Sequence, residues 1–218
     1  MIGLIKKYRL SFLLYAILLL GGIILVIIIP KPELHLLMNS KHTDAQDAFF
    51  KTITWLGNGW IALAFSLLFL FIRFRYFLML ILSFSISGLL AQFFKRAVFP
   101  EFLRPAEFLE QMPGLSLVPG VGLYHTLSLP SGHTATAFAF LLLAGLISGN
   151  RSAAFIGMLL SCCVALSRVY LSQHFLVDIL SGSLIGVFSA LFFYWYFQGM
   201  KAEWLDRSIL NINLLRKR

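Results

Sequence analysis

Six stretches of the sequence are apolar over lengths close to the thickness of a bilayer: Leu10–Ile29, Trp55–Ile72, Tyr76–Phe94, His133–Ile147, Ala153–Leu171 and Phe175–Phe197. A helix needs about 20 apolar residues to cross the hydrocarbon core. The chain is therefore expected to be an all-α, polytopic membrane bundle of six transmembrane helices, with residues 1–218 forming one domain. The fourth stretch is the shortest. Only 12% of the residues are charged, against about a quarter in a soluble domain. Lys6, Lys7 and Arg9 precede the first apolar run as they would in a signal peptide. That run is long for a signal and no small-residue cleavage site follows it, so it is expected to stay as a helix.

The net charge of +9 suggests nucleic acid only until its distribution is seen. The six-span topology puts Lys6, Lys7, Arg9, Arg73, Arg75, Arg151, Lys201, Arg207, Arg216, Lys217 and Arg218 on one side, against Glu203 and Asp206 alone. The other side holds seven basic and seven acidic residues. The whole excess thus lies on one face. Positive-inside bias makes that face cytoplasmic, with both termini on it. The expected setting is a bacterial inner membrane, and the expected partners are the bilayer and a membrane lipid, with no nucleic acid.

Two loops on the opposite face hold most of the remaining sequence. Within the first, "TDAQDAFFKTIT" offers Thr43 as a cap with Gln46 three residues on, predicting a short helix near 44–54. Its apolar face, Ala45, Ala48, Phe49, Thr52 and Ile53, suits either the membrane surface or packing on the bundle. Gly57–Gly59, "GNG", is a candidate break in the second span. The second loop, Lys95 to Pro130, is rich in Phe, Leu, Pro and Gly. It reads as an interfacial lid or as a structural re-entrant loop. Cys162 and Cys163 are neighbours inside the fifth span and read as packing residues.

Ionisable residues at membrane depth cost about 2.5–3.5 kcal/mol each at a helix centre, which makes them functional candidates. They gather here in three clusters on the same face. "KRAVFPEFLRP" carries Lys95, Arg96 and Arg104. "PSGH" opens the fourth span, with Ser131 as cap and Gly132 open to close approach. A helix start is an anion site, and His133 stands in its first turn. "SRVYLSQHFLVD" carries Arg168, His174 and Asp178. His174 and Asp178 are four apart, so on a helix the carboxylate can hold one ring nitrogen and leave the other free. Together these are two histidines, an orienting carboxylate and several cations. One histidine can attack phosphorus and the other can protonate the leaving oxygen. Spacing alone does not say which. No carboxylate cluster suits a metal ion, so no metal or other cofactor is expected and fixed cations take that part.

In these motifs the sequence resembles the type 2 phosphatidic acid phosphatases, which are related to vanadium haloperoxidases. Their pattern is K-x6-RP, PSGH and SR-x5-H-x3-D. Pro130–His133 and Ser167–Asp178 match the second and third motifs without a mismatch. The first departs: Arg104 and Pro105 supply its end, but Ala97 stands seven before Arg104, Arg96 eight and Lys95 nine. Neighbours on a helix point about 100° apart, so only one of Lys95 and Arg96 faces a site. Residue type favours Lys95.

The resemblance implies that His174 forms a phosphohistidine, that Asp178 orients it and that His133 protonates the leaving group. It implies phosphate binding by Lys95, Arg104, Arg168, Ser131 and Gly132. The implied activity is hydrolysis of a lipid phosphate or diphosphate at the outer face, without metal. Two alternatives stay open: a phosphotransferase discharging the same phosphohistidine onto a lipid hydroxyl, and a transporter whose buried charges serve transport. The headgroup is not legible, because the motifs address phosphate alone.

Overall fold

A computed structural model of the chain describes residues 2–39 and 41–211, and every regular element among them is helical. Arg216, Lys217 and Arg218, counted above with the basic face, lie outside the described residues. The helices are α1 (Ile2–Lys7), α2 (Arg9–Ile28), α3 (Lys31–Met38), α4 (Asp44–Ile53), α5 (Gly59–Leu68), α6 (Phe74–Phe93), α7 (Gly132–Ala137), α8 (Leu143–Ile147), α9 (Arg151–Tyr170) and α10 (Leu176–Gly199). A π-turn, Phe94–Val98, extends α6, and another, Phe138–Leu142, joins α7 to α8.

The all-helical membrane bundle is as expected, but the count of six spans is not exact. Among the described residues, four helices are long and apolar enough to cross a membrane: Arg9–Ile28, Phe74–Val98, Arg151–Tyr170 and Leu176–Gly199. The stretch expected as a second helix, Trp55–Ile72, is broken. Asp44–Gly57 and Gly59–Phe71 are long enough to cross only together, and they are bent by 62° where they meet. The break has a local cause. Asn58 leaves the helical conformation, and its side-chain oxygen caps α5 by accepting from Trp60 N at 2.8 Å. Gly57 meanwhile has no room for a side chain: a Cβ there would stand 2.7 Å from the carbonyl oxygen of His133. The fourth segment, Gly132–Ile147, is short for a span.

The helix expected near 44–54 is α4, and Thr43 caps it by accepting from Gln46 N at 3.2 Å. It packs on the end of the bundle. Phe50 stacks on Tyr170 with ring centroids 4.2 Å apart, and the Tyr170 hydroxyl donates to Asp47.

α10 packs tightly against α7, and glycine makes this approach possible. A Cβ at Gly182 would meet Ser131 O at 2.5 Å, and one at Gly186 would meet Ala135 O at 2.5 Å. Small residues four apart let two backbones touch, the usual device of helix packing in lipid. The core around them is aromatic and aliphatic: Phe138, Leu142, Leu143, Leu146, Met158 and Phe193 are buried. Within this packing the C-terminal ends of α6 and α9 and the N-terminal ends of α7 and α10 come together at one end.

Candidate active site

The turn from α9 to α10 places the first histidine. The Arg168 carbonyl accepts from both Gln173 N (2.9 Å) and His174 N (3.1 Å), so the chain reverses tightly. Ser172 sits in this turn at φ 51, in the left-handed region. His174 emerges just before the helix rather than within it. It is nevertheless 3.2 Å from its expected partner, because Asp178 turns back towards the start of α10. Asp178 Oδ2 accepts from His174 Nδ1, from Phe175 N at 2.9 Å and from the Ser128 hydroxyl. Three donors on one oxygen hold this carboxylate in place beside the His174 ring. The contact with the ring uses Nδ1 and leaves His174 Nε2 without a hydrogen bond among the described residues. Burial pushes the His174 ring below its ordinary pKa, with the nearby Asp178 carboxylate opposing.

The PSGH turn hangs on the same helix. Ser131 N donates to the main-chain oxygen of Asp178 at 2.9 Å. Ser131 Oγ accepts from Thr134 N (3.4 Å) and from the Thr134 hydroxyl (2.9 Å). The Ser131 amide is thus committed to Asp178, while the Ser131 hydroxyl accepts from Thr134 and keeps its own O–H as a free donor among the described residues. The amides of Gly132 and His133 have no partner among the described residues, as the first turn of a helix leaves them. His133 stands beside them.

Three cations face this pair. Arg168 is buried, with one nitrogen donating to the Thr54 hydroxyl at 2.8 Å and Nε without a partner. Lys95 is buried on the π-turn that ends α6, whereas its neighbour Arg96 is exposed. A π-turn adds a residue to the helix and re-aims what it carries. Arg104 is partly spent on backbone. It donates to Thr126 O (2.9 Å), Gln173 O (3.1 Å) and Leu127 O (3.4 Å), stitching the long loop to the His174 turn. Two of its five N–H groups remain. The fields of Arg168, His174, Lys95 and Arg104 all reach His133, so the five groups share one site. Such a set can hold a phosphate dianion between fixed cations and amides, with one histidine on each side.

The loop covers this site. Gln173 Nε2 donates to Gly122 O at 3.0 Å, and Val118 packs against Tyr170 and Leu171. Tyr124 lies over the Arg104 guanidinium, 5.2 Å from centroid to Cζ. Behind the turn, α3 docks with His35 and Asn39 buried. Asn39 Nδ2 donates to Val169 O (3.0 Å) and Ser172 Oγ (2.9 Å), and His35 Nε2 is 3.2 Å from Ser172 Oγ. Thr54, Ser128, Tyr124, His35 and Asn39 were not singled out from sequence. Only His35 and Asn39 left a signal, a polar pair four apart in an apolar stretch.

Fold and site together define an integral membrane helical protein with two buried histidines, a buried carboxylate and buried cations gathered at one end of the bundle. Residues 73–201, more than half the chain, match the family model of the PAP2 superfamily, and the chain belongs to that superfamily. Bacitracin transport permease protein BcrC of Bacillus licheniformis is 34% identical over 68 residues, covering 31% of this chain and 32% of that protein. The chain thus spans about a third of that relative's length. The crystal structure of Aquifex aeolicus LpxE matches with a TM-score of 0.64 at 26% identity, over 75% of this chain and 94% of that one. A transmembrane PAP2-type phosphatidylglycerolphosphate phosphatase from Bacillus subtilis has the same fold. It matches with a TM-score of 0.65 at 21% identity, over 89% of this chain and 98% of that one.

Proposed function

We propose that the protein is a membrane lipid phosphatase that hydrolyses a lipid phosphate or diphosphate monoester without a metal ion. The observation that supports this most is His174, held by Asp178 at 3.2 Å and surrounded by His133, Lys95, Arg104 and Arg168. His174 Nε2 attacks phosphorus and forms an N–P bond. The P–O bond to the lipid breaks as His133 gives its proton to the leaving oxygen. His133 then takes a proton from water, the hydroxide attacks phosphorus, and the N–P bond breaks to release phosphate. Lys95, Arg104, Arg168 and the Gly132 and His133 amides hold the equatorial oxygens, where charge builds up. In a diphosphate the leaving group is a lipid monophosphate.

The site is assigned to the outer face of a bacterial inner membrane, with both termini in the cytoplasm. Lys6, Lys7, Arg9, Arg73, Arg75 and Arg151 lie at the opposite end of the bundle, which supports that orientation. The names of the Bacillus subtilis phosphatidylglycerolphosphate phosphatase and of BcrC suggest two substrates to try, phosphatidylglycerol phosphate and bacitracin. The second is a transport reading. Purified protein in detergent, offered a panel of lipid phosphates and diphosphates, should release inorganic phosphate from at least one. No release from any, with transport in proteoliposomes, would reject the phosphatase reading. Loss of phosphate from the substrate only when a lipid hydroxyl acceptor is added, with the phosphoryl group found on that acceptor and not as inorganic phosphate, would make the protein a transferase.

A further inference from the structure

Four cations with no part in the site converge at the other end of the bundle. Lys6 and Lys7 end α1, Arg9 starts α2 and Arg151 starts α9. Tyr8 brings them together. It is buried between the two N-terminal helices, and its hydroxyl donates to Leu146 O at 3.2 Å. This pins the N-terminal segment to the α8–α9 turn, and Lys7 Nζ reaches Gly149 in that turn. The four side chains line a groove of about 530 Å³, walled by Leu10, Phe155 and Ile156. No acidic residue lines it. None of the four is in an ion pair among the described residues. Arg151 also adds its charge to the positive end of the α9 dipole, where a cation is unfavourable. Positive-inside topology accounts for cations at this end, but not for four of them in one groove without a counter-charge.

The shape of the groove says what kind of anion fits. It does not close on itself. Arg9 and Leu10 also border a second groove of about 540 Å³, which continues along α2 past Phe12 and Leu13. Leu10 is 63% exposed, Leu13 56% and Ile156 54%, so this continuation is a lipid-facing surface. A soluble anion would use the charges and leave the apolar continuation idle. A phospholipid uses both, with its phosphate among the cations and its chains beside the helix. Basic pockets between helix ends are known to suit anionic headgroups. Arg151 and Arg168 sit at opposite ends of α9, about 25 Å apart at 1.5 Å per residue. The groove is therefore separate from the phosphate site.

We propose that this groove binds the headgroup of an anionic phospholipid of the bilayer, with its acyl chains against α2. The test uses full-length protein in nanodiscs of mixed phosphatidylglycerol and phosphatidylcholine, with retained lipid counted by native mass spectrometry. Lys7→Gln with Arg151→Gln removes two charges from the groove. Lys201→Gln with Arg207→Gln removes two exposed charges elsewhere at the same end and leaves the groove intact. Wild type and the second pair should retain phosphatidylglycerol preferentially, and the first pair should lose that preference by about tenfold or more. Retained phosphatidylglycerol should also survive millimolar inorganic phosphate. Equal retention by both pairs, or equal loss, would overturn the proposal. Displacement by inorganic phosphate would overturn it too, making this a site for a free anion. Thermal melting of each variant shows that the fold is intact, and these residues take no part in phosphate release, so the result does not depend on the phosphatase reading.

Discussion

Ser131 N donates to the main-chain oxygen of Asp178 at 2.9 Å, so the turn that carries His133 hangs on the helical turn that orients His174. Gly182, one turn further along α10, is the shoulder on which this contact rests. A methyl group at Gly182 would stand 2.5 Å from Ser131 O, and one at Gly186 would stand 2.5 Å from Ala135 O. In both cases the obstacle is backbone, which cannot swing aside. Gly182→Ala and Gly186→Ala should each destabilise by about 1–3 kcal/mol. Gly182→Ala should also cost turnover out of proportion to stability, because it displaces one histidine from the other. Melting temperature and turnover measured together check this. Full turnover in Gly182→Ala would show that the two turns are not coupled.

The two histidines should respond differently to the leaving group. His174→Ala should remove phosphate release while the protein stays folded. His133→Ala should slow a substrate with an alkoxide leaving group far more than one whose leaving group needs no proton, since the lost acid role matters only to the first while the lost base role affects both. Vanadate, a mimic of five-coordinate phosphorus, should inhibit the wild type. Turnover abolished by EDTA and restored by Mg²⁺ would contradict fixed-cation catalysis.

Asn39 gives a test of positioning. It touches no reacting atom, but it donates to Val169 O and Ser172 Oγ at the back of the turn that presents His174. Asn39→Leu leaves these acceptors without their donor. It should lower kcat by between about tenfold and a hundredfold, since small misplacement of a reacting group is costly. KM should stay nearly constant, because the cations are untouched. A parallel loss in KM, or none in kcat, would make Asn39 a packing residue only.

What the sequence made legible followed from period and motif. The long apolar runs predicted α2, α6, α9 and α10 closely, because lipid imposes one length and one periodicity on each. The break in the second span was legible in Gly57–Gly59, but the close approach of the His133 carbonyl to Gly57 was not, because it is a tertiary contact. The i,i+4 spacing brought His174 and Asp178 together, although His174 precedes the helix. Ser131 was visible as a cap, but not as a donor to Asp178, which is 47 positions away. Thr54 and Ser128 were invisible for the same reason. Single hydroxyls in apolar sequence gain meaning only from what folds against them.

Acid should unfold this protein through its buried imidazoles. Burial lowers His35 to about 4, and it lowers His174 as well. An unfolded histidine binds a proton near pH 6.5, whereas these two stay neutral in the fold. The unfolded state therefore holds more protons below pH 6.5, and stability falls as pH drops from there. Each group contributes up to about 1.4 kcal/mol per pH unit in that window. His35→Gln should reduce the loss of melting temperature between pH 7 and pH 4.5. The free enzyme should also keep its His174 nucleophile neutral below pH 6.5, placing the acid limb of kcat/KM on the low side of an ordinary histidine. An acid limb at or above 6.5, together with an unchanged melting profile in His35→Gln, would count against both assignments.

The altered first motif separates two neighbouring cations. A phosphate dianion in a partly dry site needs more than one fixed charge, and Arg104 has already given three donors to Thr126, Leu127 and Gln173. Its partner must come from the end of α6. The π-turn Phe94–Val98 buries Lys95 and leaves Arg96 exposed, so the two face different surroundings. The field of Lys95 reaches both His133 and His174. A compact ammonium can serve phosphate as a point charge from that position. Lys95→Ala should therefore cost at least tenfold in kcat/KM, about 1.4 kcal/mol of transition-state binding. Arg96→Ala should cost much less, because its headgroup-facing charge is replaceable by solvent. Lys95→Arg is the finer probe: it keeps the charge but not the reach, and should recover only part of the loss. The reverse order, with Arg96→Ala the more damaging, would show that the π-turn presents the other cation. Equal small effects would show that Arg104 and Arg168 hold the phosphate without help from α6.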